Sequence, residues 1–238
     1  MKRKVNNVSG ENENPFSFSI GDLMAGVLFI FVLLLASSML EIQEKAERDA
    51  EIASRYNNIK SDIYFDIAKE FKDDLSQWNA VVDENDLSIR FSLDESGAKV
   101  SYFDSGRPDV KQEFKNVLDE FFPKYLGIIA NPKYRDSIEE IRIEGHTDSN
   151  GGYMLNVGLS QERAKNVLDY CLNMAGKDPD LKEMMEWAQY KITANGLSYS
   201  HPILNADGSE NKDLSRRVEF KVRTNAEAQL EEIAKLRQ

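Results

Sequence analysis

The eight residues Ile141-Arg-Ile-Glu-Gly-His-Thr-Asp148 close an apolar run that starts at Ile138. Residues 138–144 are expected to form an alternating, half-buried strand, in which Ile141 and Ile143 share a face and Arg142 and Glu144 take the other. A carboxylate, Asp148, follows directly after that strand. Fifteen residues on, within Asn156-Val-Gly-Leu-Ser-Gln-Glu-Arg-Ala164, stands Arg163, on a helix predicted from Ser160 to about Ala175. Gly151 and Gly152 lie between them and let the loop fold back. An anion and a cation are thus expected at one strand end. Two outcomes are open: a structural Asp–Arg salt bridge, or a pair that grips a ligand carrying both charges.

Outward from this point the pattern repeats. Leu87-Ser-Ile-Arg-Phe-Ser-Leu93 alternates strictly, Asp94-Glu-Ser-Gly97 reads as a turn, and Ala98 to Phe103 as the returning strand. Pro108 is expected to open a helix with Val110, Phe114, Val117, Leu118, Phe121 and Phe122 on one face. A shorter helix is predicted over Asp180 to Gln189, strands over Tyr190 to Ala194 and Arg217 to Arg223, and a polar helix from Asn225. The class is α+β, with helices packed on a small mixed sheet as an α/β sandwich. Upstream, Ile52, Tyr56, Ile59, Ile63, Ile67, Phe71, Leu75, Trp78 and Val82 are spaced by threes and fours. This is a helical stripe. It predicts a stalk helix from Glu41 to about Val82, or two with a break near Asn57-Asn58. The stripe either docks on the domain or pairs with a second copy.

No charge interrupts Leu23 to Leu40, and from Phe16 to Leu40 there are 25 residues with one charged member, Asp22. A helix needs about 20 residues to cross roughly 30 Å of hydrocarbon. The apolar part is longer than a secretory signal, so a retained single-span anchor is expected. Lys2, Arg3 and Lys4 precede it and Glu41, Glu44 and Glu47 follow, which keeps the N-terminus cytoplasmic. Asp22 lies either inside the bilayer, where a charge costs about 2.5–3.5 kcal/mol on insertion scales, or at the cytoplasmic interface. Gly21, Ala25, Gly26 and Ala36 are small enough for close helix packing.

The net charge of -11 belongs to the chain beyond residue 40, which carries 27 basic against 38 acidic groups. That balance excludes nucleic acid as a direct partner. Cys171 is the single cysteine, so the chain forms no internal disulfide and no thiolate cluster. Val167, Leu168, Leu172 and Met174 around it predict a buried helical thiol, with an intermolecular bridge as the alternative. His146 and His201 have no partner at metal-ligand spacing, and no nucleophile stands with a base. No metal, no cofactor and no enzymatic activity are expected.

Three ordered stretches carry a resemblance: Ile141 to Asp148, ending in GHTD; Asn156 to Ala164, N-x-x-L-S-x-x-R-A; and Ser215-Arg-Arg-Val-Glu219. With Phe103-Asp-Ser-Gly106, they resemble the OmpA-like peptidoglycan-binding domain over about residues 86–224. The resemblance implies that Asp148 accepts the ammonium of a diaminopimelate end while Arg163 grips its carboxylate, with Asn156, Leu159 and Arg217 framing the pocket. It also implies that His146 is a framework residue hydrogen-bonding the loop. Ser215 departs from the family's usual Asn, and the insert from Asp178 to Glu186 is expected to reshape the site's edge. The stretch Phe18-Ser-Ile-Gly-Asp-Leu-Met-Ala25 resembles the membrane segment of flagellar stator B subunits, and the layout resembles the MotB/TolR/ExbD class, most of all the B subunit of the Zorya anti-phage defence system. The segments implied are a cytoplasmic tail (1–15), a transmembrane helix (16–40), a periplasmic stalk (41–85), the OmpA-like domain (86–224) and a C-terminal tail (225–238). The implied function is an inner-membrane stator subunit of a proton-driven motor, with Asp22 as the ion-translocating group. Its implied partners are a second copy of itself, peptidoglycan, and a multi-span MotA/ExbB-like subunit, five copies around two of this chain. The alternatives are a flagellar stator or a passive membrane-to-wall tether.

Overall fold

The stripe of threes and fours does form a helix, and the helix continues upstream through the apolar run. The computed structural model describes residues 15–92 and 102–236. Its first element, α1, runs unbroken over Pro15–Glu70, through Asn57-Asn58. The chain divides into two compact units, residues 1–51 and 52–238.

In the first unit, α1 presents its apolar residues outward; Leu23, Leu28 and Leu34 are all exposed. Among the described residues one helix is long and apolar enough to cross a membrane, and none of its most apolar window is buried within the chain. A methyl group at Gly21 or Gly26 would meet nothing within 4 Å. Packing within this chain therefore does not require glycine at either position.

In the second unit, the end of α1 is part of the core. Ile63, Ile67 and Phe71 are fully buried, so the stripe docks on the domain. The helix stops at Glu70, not near Val82. Residues 71–79 form turns, Asn79 takes a left-handed φ of 46°, and the chain enters strand β1 over Ala80–Asp83. Asn tolerates that conformation, and the β-branched Val81-Val82 pair favours extension. The periodicity outlives the helix because Trp78 is buried in the same core.

β2 (Ser88–Ser92), β3 (Ile138–Gly145), β4 (Ile192–Gly196) and β5 (Arg217–Thr224) complete a five-stranded sheet of order β1-β2-β5-β3-β4. β3 and β4 are parallel, and the other pairings are antiparallel. Helix α2 covers Gln112–Ile129. It starts four residues after Pro108 because Val110 bridges Phe103 and the Lys111 N–H donates to Tyr102 O. Leu93, the expected turn at 94–97 and the first part of the returning strand expected over Ala98 to Phe103 lie outside the described residues; of its described end, Phe103 forms only an isolated bridge. Helix α3, Tyr153–Ala175, starts two turns earlier than expected and links β3 to β4. A short α4 (Lys182–Ala188), α5 (Lys212–Ser215) and α6 (Asn225–Leu236) follow. The core is aromatic: the Phe121 ring lies 5.0 Å from both Phe91 and Phe220, and 5.2 Å from Phe71. Such pairs contribute about 0.5–1.5 kcal/mol each beyond their buried area. Cys171 is fully buried, and burial pushes its thiol up and away from reactivity. A bridge to another chain needs an accessible sulfur, which this one is not.

Candidate ligand-binding site

β3 and β4 end side by side at Gly145 and Gly196, with α3 crossing directly over them. A Cβ on Gly145 would stand 2.3 Å from the Ser160 carbonyl oxygen, and one on Gly196 2.3 Å from the Gln161 nitrogen. Only glycine lets the helix come this near. The loop leaving β3 is then tied to the loop leaving β4. Leu197 N donates to Gly145 O and Thr147 N to Ser198 O, both at 2.9 Å, while Ser198 N donates to Ser160 Oγ at 3.0 Å. Gly151, at φ 90°, turns the chain back into α3.

This frame holds Asp148, which is buried. Its Oδ1 accepts from Asn150 N and its Oδ2 from Asn150 Nδ2, each at 3.0 Å. Buried Asn156 closes the loop from α3, donating from Nδ2 to Asn150 O at 2.8 Å. Arg163 lies two turns further along. Asn156, Leu159 and Arg163 share one helical face, with Leu159 half-exposed. The Arg163 guanidinium donates to Arg107 O (3.1 Å) and Asp104 O (3.2 Å), and sits 4.8 Å from the centre of the Phe103 ring. The Phe103-Asp-Ser-Gly106 stretch therefore supplies the cradle for this cation. Burial first, and the nearby Arg216 charge second, pull the Arg163 pKa down to about 10, with Asp148 acting the other way. Among the described residues no ion pair joins Asp148 to Arg163, so the simple salt-bridge outcome does not hold.

The guanidinium that reaches Asp148 is Arg216, which also pairs with Asp213. Arg217 points elsewhere. It binds Glu219 through Nε and donates from Nη1 to Ser215 O at 3.2 Å. Arg216 caps the short helix Lys212–Ser215 just before the strand, whereas Arg217 is the first residue of β5 and shares its face with Glu219 two residues on. Arg217 belongs to a buried cluster with Glu144, His146 and Glu219. The His146 Nε2 lies 3.8 Å from Glu144 and 4.0 Å from Glu219, and neither ring nitrogen has a hydrogen-bond partner. The framework bond made by His146 is instead from its backbone N to Arg217 O, at 2.9 Å. Burial, partly opposed by Glu144, lowers the His146 pKa. Burial opposes ionisation of Glu219, yet Arg217 and Arg90 outweigh it and hold that carboxyl below the usual range. The three donors lie within 4.8 Å of one another, close enough for a metal ion. However, the Glu219 oxygen facing His146 already accepts from Arg217 and from Arg90 Nε. Two guanidiniums on one ligand oxygen oppose a divalent cation, so the donor set does not fit a metal.

The outer wall comes from residues 203–216. Glu210 accepts from Ser149 N at 3.1 Å and from its hydroxyl, and Lys212 donates to Asn150 Oδ1 at 2.8 Å. Ser215, which stands in place of the expected Asn, is buried and accepts from Ile203 N at 3.0 Å, so the wall remains tied. The insert at 178–186 does not edge the site. It follows the far end of α3, a 23-residue helix, about 34 Å from the start of that helix at 1.5 Å per residue. Glu210, Lys212 and Ser198 carry no motif in the sequence. Arg216 stands in the Ser215-Arg-Arg-Val-Glu219 motif, but the motif alone does not tell it from Arg217. Asp22, in the first unit, is exposed on α1.

Strand ends, glycine contacts and the paired motifs define an OmpA-like domain behind one long apolar helix, and the profile of the OmpA family matches residues 102–216. The chain is 35% identical over 231 residues to Zorya protein ZorB of Escherichia coli strain ATCC 8739, covering 94% of each chain. It is 24% identical over 218 residues to Zorya protein ZorB of Escherichia coli O139:H28, covering 90% of this chain and 82% of that one. It belongs to the ZorB family. Among solved structures, a MotB-like protein of Desulfovibrio vulgaris is similar at 23% identity and a TM-score of 0.47, over 71% of this chain and 96% of that one.

Proposed function

We propose that this chain is a peptidoglycan-anchored stator-type subunit of the inner membrane, working in anti-phage defence. Residues 16–40 cross the bilayer once from a cytoplasmic tail, and the sheet domain lies in the periplasm. Asp22 is the ion-translocating carboxyl, taking up and releasing a proton among the helices of a multi-span partner. Five partner copies surround two of this chain. Loading or releasing the ion changes the charge on this side chain, and that change can bias the movement of neighbouring helices. One elementary charge crossing 100 mV releases about 2.3 kcal/mol. Gly21 and Gly26, unneeded by this chain's own packing, suit close contact with partner helices.

The observation that carries the wall-binding half is a buried carboxylate, Asp148, and a buried guanidinium, Arg163, at one strand end without an ion pair between them. A diaminopimelate end presents an ammonium and a carboxylate on one carbon, one charge for each. Anchoring has a physical purpose, because a stator that is not held turns with the load it drives. The test is sedimentation of the full chain, in detergent, with purified cell-wall sacculi. The wild type is expected in the pellet. Asp148→Ala and Arg163→Ala are expected in the supernatant, with folding verified by circular dichroism. A wild-type chain that stays in the supernatant overturns the reading.

A further inference from the structure

Arg163 is buried, donates only to backbone carbonyls and an aromatic face, and has no carboxylate within 4 Å among the described residues. A buried charge in that position calls for an anion. Asp148, the acidic side chain that acts on it, is already bound by Arg216. The other partner of Arg216, Asp213, is more than half exposed, where water screens its charge. One buried guanidinium, Arg163, and one partly exposed guanidinium, Arg216, therefore face a single buried carboxylate, Asp148.

The two cations differ in freedom. Arg163 is fixed by two hydrogen bonds and a ring. The Arg216 side chain is 33% exposed and stands between one inner and one outer carboxylate. We infer that Arg216 is a second carboxylate-gripping residue of the ligand site, and that it makes the site selective for a diaminopimelate end whose carboxylate is free rather than amidated. This inference rests on the peptidoglycan reading above. The ligand's ammonium takes a place on Asp148 beside or instead of Arg216, and the released fork of Arg216 meets the ligand's carboxylate opposite Arg163. A carboxamide in that position removes the charge and turns an acceptor oxygen into an N–H₂ donor, facing two groups that only donate. Rejection then comes from donors left facing donors as well as from lost attraction.

The probes are a stem tripeptide ending in meso-diaminopimelate and the same peptide amidated at that carboxylate, titrated calorimetrically against the full chain in detergent. Wild type is expected to bind the acid about tenfold or more tightly than the amide. Arg216→Gln is expected to bind the acid about tenfold more weakly and to lose discrimination, while its affinity for the amide stays within about threefold of wild type. An R216Q chain that discriminates as well as wild type overturns the inference. So does one that loses both peptides equally while its thermal unfolding is unchanged, since Arg216 would then only position Asp148. If R216Q does not fold, Arg216→Lys takes its place. It keeps a charge for Asp148 without the planar fork, and is expected to discriminate at least threefold less; unchanged discrimination overturns the inference. A wild-type chain that binds neither peptide defeats the peptidoglycan reading itself, a separate result.

Discussion

At the scale of single residues, the site depends on how each cation is held. Arg163 uses its Nε and one Nη on the carbonyls of Arg107 and Asp104 and holds its Cζ over the Phe103 ring. Lysine offers a point charge that cannot make this arrangement. Arg163→Lys is therefore expected to weaken sacculus binding about 10- to 100-fold, roughly the loss of one or two charge-assisted hydrogen bonds. Quantitative sedimentation measures this; retention equal to wild type would show that charge alone suffices. Asp148 and Arg163 were legible in the sequence because each stands in a motif with a chemical reason. Arg216 was not, because a motif holds both arginines and only the point where β5 begins decides which one faces Asp148. Glu210 and Lys212 reach the site from some 60 residues away in sequence, and no local pattern encodes such a contact.

At the scale of elements, α3 sits where it does because β3 and β4 both end in glycine. Gly145→Ala or Gly196→Ala drives a methyl into helix backbone 2.3 Å away, and α3 must move, taking Asn156 and Arg163 with it. Each is expected to cost about 1–3 kcal/mol, as overpacking does, and to weaken wall binding. Urea unfolding and sedimentation on the same samples test this; two stable, fully binding variants would contradict it. His146, directly after β3, and Glu219, on β5, are both buried, and folding lowers the pKa of each. The unfolded chain takes up these protons more readily, so stability falls as pH drops. The loss begins below about pH 6.5 for His146 and below about pH 4.5 for Glu219. His146→Gln is expected to flatten the melting-temperature profile between pH 7 and 5, and an unchanged profile would argue against the burial account. The strands and helices were largely legible from period alone. The end of α1 was misjudged because turns at 71–79 kept burying residues at helical spacing.

At the scale of the whole molecule, the division of labour follows composition. Net charge resides beyond residue 40, and exposed apolar surface is concentrated on α1. The apolar helix was legible because length and lack of charge suffice to define it. What surrounds Asp22 was not: within this chain it is exposed on α1, and the neighbours proposed for it belong to other chains. The central claim is that an ion passing at Asp22 powers work against the cell wall. Asp22→Asn keeps the shape and removes the ionisable proton. The deciding measurement is phage plaque counts on cells carrying the intact gene system with this one substitution, alongside sacculus sedimentation of the same variant. The account predicts that protection is abolished while wall retention equals wild type. Full protection in cells carrying the substitution would contradict it.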